Sequence, residues 1–170
     1  DGTIQLGGKW LKNRPMRVDG ININRRVRSL YFLHGTQWGF VSGVDIGRYE
    51  VHYDDGTTAM IPLTAGRDVR DWWWKRELPP GERHIAWVGT NDASESPNNL
   101  QISRSTWVNP HPEKSIATLS FVSVDPAGEP APFCVAITAE LAVASDFPFV
   151  APKPHTGEMA APASFTGRQE

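Results

Sequence analysis

Apolar and polar residues alternate along residues 48–53, where Tyr49, Val51 and Tyr53 are separated by charged or polar side chains. A period of two is typical of a strand that buries one face. Similar short runs recur at residues 26–33, 57–63, 84–88, 99–103, 116–124 and 133–141. Gly, Pro and Asn separate these runs, and the pattern predicts an all-β, antiparallel β-sandwich. A helical stripe is missing, and residues 66–73 form at most a turn or two.

The turn that follows residue 53 carries a hairpin signal. Asp55-Gly56 is typical of a two-residue hairpin turn, because both residue types tolerate positive φ. The return strand contains Pro62, which cannot donate a hydrogen bond to a neighbouring strand. We therefore expect Pro62 at a sheet edge or at a strand end.

The chain changes character near its end. Residues 143–170 contain four prolines among Ala, Gly and Thr, and periodicity is lost. Such composition is typical of linkers. We expect one β-sandwich domain in residues 1–142 and a Pro/Ala-rich linker or tail in residues 143–170 that leads to a further domain. Packing of residues 147–150 on the sandwich is the alternative for the first part of this segment.

Charge is nearly balanced, with 17 Lys and Arg against 19 Asp and Glu in 170 residues. This balance argues against a nucleic-acid partner. No stretch is apolar for long enough to span a bilayer, so a membrane protein is not expected. The bases are concentrated in residues 9–29, which hold seven Lys and Arg and one acid, Asp19. A solvated basic face is the ordinary interpretation of such a run, and a surface for an anionic ligand is the alternative.

The single cysteine, Cys134, excludes an internal disulfide, and its apolar neighbours predict a buried, inert thiol. Asp45, Asp54 and Asp55 offer oxygen ligands for a structural Ca²⁺, but their spacing is not that of an EF-hand. The five histidines show no zinc-binding spacing. We expect no cofactor, with structural Ca²⁺ as the alternative.

Seven tryptophans have to be divided between core and surface: Trp10, Trp38, Trp72, Trp73, Trp74, Trp87 and Trp107. Trp87 lies within an apolar strand pattern and is predicted to be in the core, and Trp107 is expected to cap one end of the core. Three consecutive tryptophans cannot all enter one two-layer core. The spacing of Val69 and Trp72 favours the core for Trp72. For Trp73 and Trp74, a ligand surface and a wedge that closes the sandwich edge remain alternatives.

Exposed indole rings suit sugars, because stacking removes the apolar face of a pyranose from water and the indole face carries negative charge density. Arg and Asp side chains near the tryptophan run can bond the ring hydroxyls. The candidate ligand-binding residues are Trp73, Trp74, Trp10, Trp38, Arg67 and Arg70.

Catalytic signals are weak. Neither a nucleophile elbow, nor a phosphate loop, nor a dinucleotide fingerprint is found. Glycosidase chemistry needs two carboxylates across a cleft. Asp92, Glu95 and Glu50 are candidates, but solvated surface acids are the better interpretation for a chain with 19 acids. No catalytic residue is assigned.

Residues 25–139 resemble modules attached to bacterial polysaccharide-degrading enzymes, within the galactose-binding-domain-like (discoidin-like) jelly-roll group. The resemblance is carried by Leu30–His34 with Trp38, Gly47–Gly56, Ile61–Leu63 with Gly66, Asp71–Trp73, Ala86–Gly89 and Trp107–Pro112 leading into Ile116. It implies that the shared positions form the scaffold, namely Tyr31, His34, Tyr49, Tyr53, Trp72, Trp87 and Trp107. Ligand residues are then expected where the pattern is looser, as at Trp10, Trp73, Trp74 and the arginines.

The resemblance implies a monomeric, non-catalytic carbohydrate-binding module of a bacterial protein that is secreted or lies on the cell surface. It would tether a covalently linked catalytic domain to a polysaccharide, neutral or anionic. The first alternative is a structural module that packs on its catalytic domain. The second is a small glycan hydrolase or lyase. The start at Asp1, without an initiating Met, is expected of a mature or excised fragment.

Overall fold

A computed structural model describes residues 2–39, 41–73, 84–93, 100–124 and 128–143 of the chain. These residues contain no helix and form eight strands, which pair only in the antiparallel sense. The strands are β1 (Ile4–Gln5), β2 (Arg17–Gln37), β3 (Asp45–Tyr53), β4 (Thr58–Thr64), β5 (Ile85–Gly89), β6 (Leu100–Val108), β7 (Ser115–Ser123) and β8 (Ala131–Leu141). The predicted all-β class is confirmed.

The strands form two sheets that share β2. The front sheet has the order β1-β8-β2-β6-β5, and the back sheet has the order β2-β7-β3-β4. Residues 17–26 of β2 pair with β7 in the back sheet, whereas residues 27–37 pair with β8 and β6 in the front sheet. Two register shifts in the first half of β2 coincide with positive φ at Gly20 and Asn24. Such bulges increase local twist and bend the strand.

The two sheets pack face to face around an aromatic centre. Phe32 of the front sheet stacks on Tyr49 of the back sheet, with ring centroids 4.2 Å apart. Tyr49 stacks in turn on its cross-strand neighbour Phe121 at 4.5 Å. Val51 and Tyr53 point into the same core, as the alternation of residues 48–53 predicts. The fold is therefore a β-sandwich with one continuous core.

The hairpin between β3 and β4 differs from the predicted two-residue turn. The N–H of Gly56 bonds to the carbonyl of Tyr53 at 3.1 Å, and among residues 54–56 positive φ occurs only at Gly56. This is a three-residue loop with its glycine in the left-handed region, a common hairpin form that needs only one such residue. Pro62 lies on β4, which is an edge strand, and this prediction is confirmed.

Most of the long connections meet at one end of the sandwich, which we call the loop end. Residues 6–16, 38–44, 65–73, 90–93 and 128–130 lie there. Backbone hydrogen bonds join them: Lys9 N–H donates to the carbonyl of Gly128 at 2.8 Å, and Gly43 N–H donates to the carbonyl of Ala65 at 2.9 Å. The loop end is therefore a connected surface supported by both sheets.

Burial corrects two of the tryptophan predictions. Trp87 is 49% exposed instead of lying in the core. Trp72 is half-buried, and it packs on the outer face of the front sheet rather than between the sheets. Trp107 is half-buried against the core, as expected of a residue at its end. Of the predicted linker, only Val143 lies within the described residues.

Candidate functional site

At the loop end, residues 70–73 form a short strap between two strands of the front sheet. β2 and β6 pair directly as far as His34 and Ser103. Beyond this pair, the N–H of Thr36 donates to the carbonyl of Arg70, and the N–H of Trp72 donates to the carbonyl of Thr36, at 3.2 and 2.9 Å. The strap is thus held to β2 as an added strand would be.

The other side of the strap is held by β6. The N–H of Gln101 donates to the carbonyl of Trp72, and Nε2 of Gln101 donates to the carbonyl of Asp71, both at 2.9 Å. The Asp71 carboxylate accepts from the N–H of Trp73 at 2.9 Å, and burial raises the pKa of this carboxyl group. These bonds fix the backbone that carries Trp72 and Trp73. The indole rings of these two residues meet edge to face, with ring centroids 5.7 Å apart.

Trp72 also meets Phe133 of β8 edge to face, with centroids 6.1 Å apart and planes 87° apart. The Phe133 ring covers Gly35, since a Cβ on Gly35 would lie 2.5 Å from Cζ of Phe133. This layer of aromatic side chains leaves a groove of about 270 Å³ on the outer face of the front sheet. The groove, which we call the front groove, is lined by Thr3, Gln5, Gln37, Trp72, Ile102, Phe133 and Val135.

Three of the described lining residues of the front groove are polar, namely Thr3, Gln5 and Gln37, and the two glutamines bond to each other across β8. Nε2 of Gln37 donates to Oε1 of Gln5 at 2.9 Å, and Nε2 of Gln5 donates to backbone carbonyls. Gln5 is therefore held in one orientation and fixes Gln37. Within the described part of the chain no hydrogen bond reaches Oε1 of Gln37. Among the described residues, the side chains that line the front groove carry no formal charge.

A second hollow of about 360 Å³, the rim pocket, lies at the loop end and is lined by Gly39, Val41, Val44, Ile46, Glu129 and Pro130. Trp10 lies near its border, because Glu129 pairs with Lys9 at 3.5 Å and the Lys9 ammonium lies 4.7 Å from the Trp10 ring centroid. Trp10 is 56% exposed. Trp38 lies in sequence between the two hollows, because Gln37 lines the front groove and Gly39 lines the rim pocket.

The two predicted arginines lie in the segment that leads into the strap and in the strap itself. Arg67 is held in a paired contact with Asp68, with Nη2 and Oδ2 2.7 Å apart, and Asp68 raises the pKa of this guanidinium. Arg70 lies in the strap and is half-buried.

The structure thus places five of the six predicted residues at the loop end: Trp73, Trp10, Trp38, Arg67 and Arg70. They belong to different loops. Trp73 lies beside the front groove through its contact with Trp72, whereas Trp10 borders the rim pocket. Trp74 lies outside the described residues.

Sequence reasoning missed the two glutamines, Phe133 and Trp87. Gln5 and Gln37 are far apart in sequence, and only the position of β1 and β2 on either side of β8 brings them together. The sequence did contain one signal for the position of Trp87. Gly89 follows it two residues later, and a glycine on a strand often marks a close contact with the backbone.

The acidic residues considered for metal binding or catalysis are far apart or already form ion pairs. Asp45 lies at one end of β3 and Asp54 just beyond the other, about 30 Å apart at ~3.3 Å per residue. Glu50 is held between Arg17 and Arg48 at 2.8 and 2.7 Å, and these hydrogen bonds lower the pKa of its carboxyl group. Within the described ranges no group of three or more His, Cys, Asp or Glu side chains could hold a metal ion. Glu95 lies outside them.

The basic segment of residues 9–29 does not form one patch. Lys9 lies at the loop end, whereas Arg28 bonds through its carbonyl to Asn109 at the opposite end of the sandwich. Arg17 pairs with Asp19 and Glu50 on the back sheet. Four of the seven bases lie on β2 between Arg17 and Arg28, where the strand passes from the back sheet to the front sheet, and the other three precede β2, so the bases are distributed over the molecule.

Fold and site define an all-β antiparallel sandwich with an aromatic-walled groove on one outer face, whose described lining residues are uncharged. Comparisons with protein-family models, with curated proteins and with solved structures give no significant match. In the described part of the chain no helix is long and apolar enough to cross a membrane.

Proposed function

We propose that this chain is a non-catalytic carbohydrate-binding module, of the galactose-binding-domain-like jelly-roll type that the sequence resembles. It holds a covalently linked polysaccharide-degrading enzyme on its substrate, outside the bacterial cell. The observation that carries the proposal is the front groove, in which the Trp72 indole lies beside a fixed pair of glutamine amides.

This arrangement suits a sugar ring for two physical reasons. The half-buried ring of Trp72, supported by the buried Phe133, presents apolar surface on which the C–H face of a pyranose can lie. Oε1 of Gln37 and the adjacent amide of Gln5 can form hydrogen bonds with sugar hydroxyl groups. Gln5 holds the Gln37 side chain in this orientation before a ligand binds. Preorganised polar groups in a mostly apolar hollow are typical of small-molecule sites.

The charge of the groove favours a neutral glycan. Its lining residues in the described part of the chain are uncharged, and Arg67 is paired with Asp68 away from the groove. A sulfated or uronate-rich chain would need cations that these described lining residues do not supply. Binding at one such site is expected to be weak, in the micromolar to millimolar range or about 4–8 kcal/mol. The linked enzyme gains from the raised local concentration of substrate.

The test is affinity electrophoresis of the purified chain in gels that contain xylan, glucomannan, hydroxyethyl cellulose, polygalacturonate or chondroitin sulfate. We expect retardation by at least one neutral polysaccharide. Gln37→Ala should weaken binding about fivefold, the equivalent of one ordinary hydrogen bond, and Trp72→Ala about tenfold or more. Trp10→Ala is the matched control, because it removes an exposed indole outside the groove.

Two outcomes would contradict the proposal. One is the absence of retardation in every gel. The other is retardation only by the anionic polymers, abolished by salt and unchanged in Gln37→Ala, which would assign binding to the bases along β2. Thermal unfolding of each variant separates a lost contact from a lost fold.

A second function, docking on a catalytic domain, is favoured by the rim pocket. Val41 and Val44 at its border are 74% and 50% exposed. Exposed apolar side chains that form a contiguous patch mark protein contacts, and these two valines line the same pocket. Sedimentation of the wild-type chain and of Val41→Asp tests this function, since apolar docking predicts self-association that the charge abolishes.

A further inference from the structure

Trp87 lies on the same face as the front groove. It occupies β5, the edge strand of the front sheet, and it is paired in register with Ile102 of β6. Side chains of directly opposed residues in antiparallel strands stand on one face, and Ile102 lines the front groove. The 49% exposed indole of Trp87 is therefore one strand beyond the groove, on the same surface.

Gly89 lets the Trp87 indole lie along its own strand. A methyl group at Gly89 would overlap Cζ2 and Cη2 of Trp87, and it would lie 3.0 Å from Cε2. The ring thus rests against the backbone of Gly89, where any other residue would lift it. An indole held against backbone on one side and half exposed to solvent offers its remaining surface for stacking.

The distance between the two aromatic positions decides what ligand could use both. Trp72 lies on the strap and Trp87 on β5, with β6 between them, so the two indoles are two strand intervals apart, or about 10 Å at ~4.8 Å each. This span exceeds a single sugar ring. Ile102 of β6 lines the groove on the side of Trp87 and supplies apolar surface between the two indoles.

We propose that the front groove and Trp87 form one strip that binds several consecutive sugars of an extended neutral polysaccharide, with the chain running across the strands of the front sheet. The inference rests on the proposed function and adds the mode of recognition. The module then binds the interior of a polysaccharide chain, whereas a single terminal sugar occupies only the front groove.

The experiment is calorimetric titration with oligosaccharides of increasing length, using the cello-, xylo- and manno-oligosaccharide series from monomer to hexamer as probes. The wild-type affinity is expected to rise with length until both aromatic positions are filled. Trp87→Ala should reduce the affinity for the longest oligomers about tenfold, because one stacking surface is lost, and leave the shortest bound oligomer unchanged.

Two further variants sharpen the result. Gly89→Ala keeps the indole but displaces it, so it should reproduce the loss for long oligomers. Val108→Ala, which trims a 68% exposed side chain on the neighbouring strand β6, should change nothing. Circular dichroism shows whether Gly89→Ala remains folded, and Trp87→Ala alone suffices if it does not.

The outcomes separate the inference from the proposed function. If the wild-type chain binds oligomers, Gln37→Ala weakens them, and Trp87→Ala binds all lengths as the wild type does, the strip is wrong and the groove stands. If Trp87→Ala weakens the binding of oligomers of every length equally, the strip is also wrong, because Trp87 should contact only oligomers long enough to reach it from the front groove. If the wild-type chain binds no member of any series and is retarded by no polysaccharide, both proposals fail.

Discussion

The Tyr49 hydroxyl donates a hydrogen bond to Nδ1 of His34 at 3.2 Å, in the centre of the sandwich. The direction follows from the other ring nitrogen, since Nε2 of His34 lies 3.1 Å from the carbonyl of Asp68 and must carry the proton. Both side chains are fully buried. His34 thus joins the front sheet to the back sheet and to the turn that precedes the strap.

Stability should fall as the pH drops from 6.5 towards 4. Burial lowers the pKa of His34 from 6.5 to about 4. Between these values the unfolded chain binds a proton that the native chain does not, so the free energy of unfolding decreases with falling pH, by at most about 1.4 kcal/mol per pH unit from this group. Well above pH 6.5, where the unfolded chain has also lost this proton, the group contributes no pH dependence. Urea unfolding at four pH values between 4.5 and 7.5 measures the slope.

Variants assign that slope to His34. His34→Gln should flatten the curve between pH 4.5 and 6.5, because glutamine does not titrate. His52→Gln is the matched control, since His52 lies on the outer face of the back sheet against Ser120. An unchanged slope in His34→Gln would contradict the assignment.

Gly35→Ala should destabilise the fold by about 1–3 kcal/mol, the usual cost of forcing extra volume into a packed site. The added methyl would meet the Phe133 ring at 2.5 Å, and this ring supports Trp72. Chemical unfolding measures the change. Gly39→Ala serves as the comparison, because a Cβ there meets nothing within 4 Å. Equal stabilities of the two variants would show that Phe133 moves freely.

Asn109→Ala should lower the free energy of unfolding by about 2–3 kcal/mol, because buried polar groups would lose their partners. Oδ1 of Asn109 accepts from the Tyr53 hydroxyl at 2.7 Å, and Nδ2 donates to the carbonyl of Val27 at 2.9 Å. Tyr53→Phe removes one of these bonds and should cost about 1 kcal/mol. A loss below about 0.5 kcal/mol for Asn109→Ala, as at ordinary surface sites, would refute this role.

Cys134 should not react with thiol reagents in the native chain at neutral pH. The thiol is 3% exposed, and burial raises its pKa to about 11. Because the thiolate is the reactive form, both effects slow alkylation. Mass spectrometry after brief iodoacetamide treatment should show label in urea and none in buffer. Rapid native labelling would mean that β8 opens near its start.

Much of the strand pattern could be predicted because it depends on neighbours in sequence. The inward direction of Tyr49, Val51 and Tyr53 follows from their period of two. The first half of β2 was missed, because Gly20 and Asn24 interrupt its alternation where the strand is bulged. The hairpin turn was placed correctly at Asp55-Gly56. Its predicted length of two residues was wrong, because Asp-Gly occurs both in two-residue and in three-residue loops.

The candidate site could be predicted only in part. The run at Trp72 and Trp73 does lie at a groove, but Trp87 was wrongly assigned to the core. An apolar strand pattern shows which side chains avoid water, and it does not show which face of a sheet a second sheet covers. Val88 and Gly89 take the half-buried positions beside the exposed Trp87.

The sequence by itself determined the all-β class, most of the strands and the burial of Cys134, because these depend on local periodicity and residue chemistry, and it restricted Pro62 to a sheet edge or a strand end. The tertiary structure decided where the groove lies. It placed Gln5 beside Gln37, laid Phe133 over Gly35 and put Trp87 on the face of Ile102. These contacts join strands that are distant in sequence, and their formation depends on strand order and register, which no local pattern encodes.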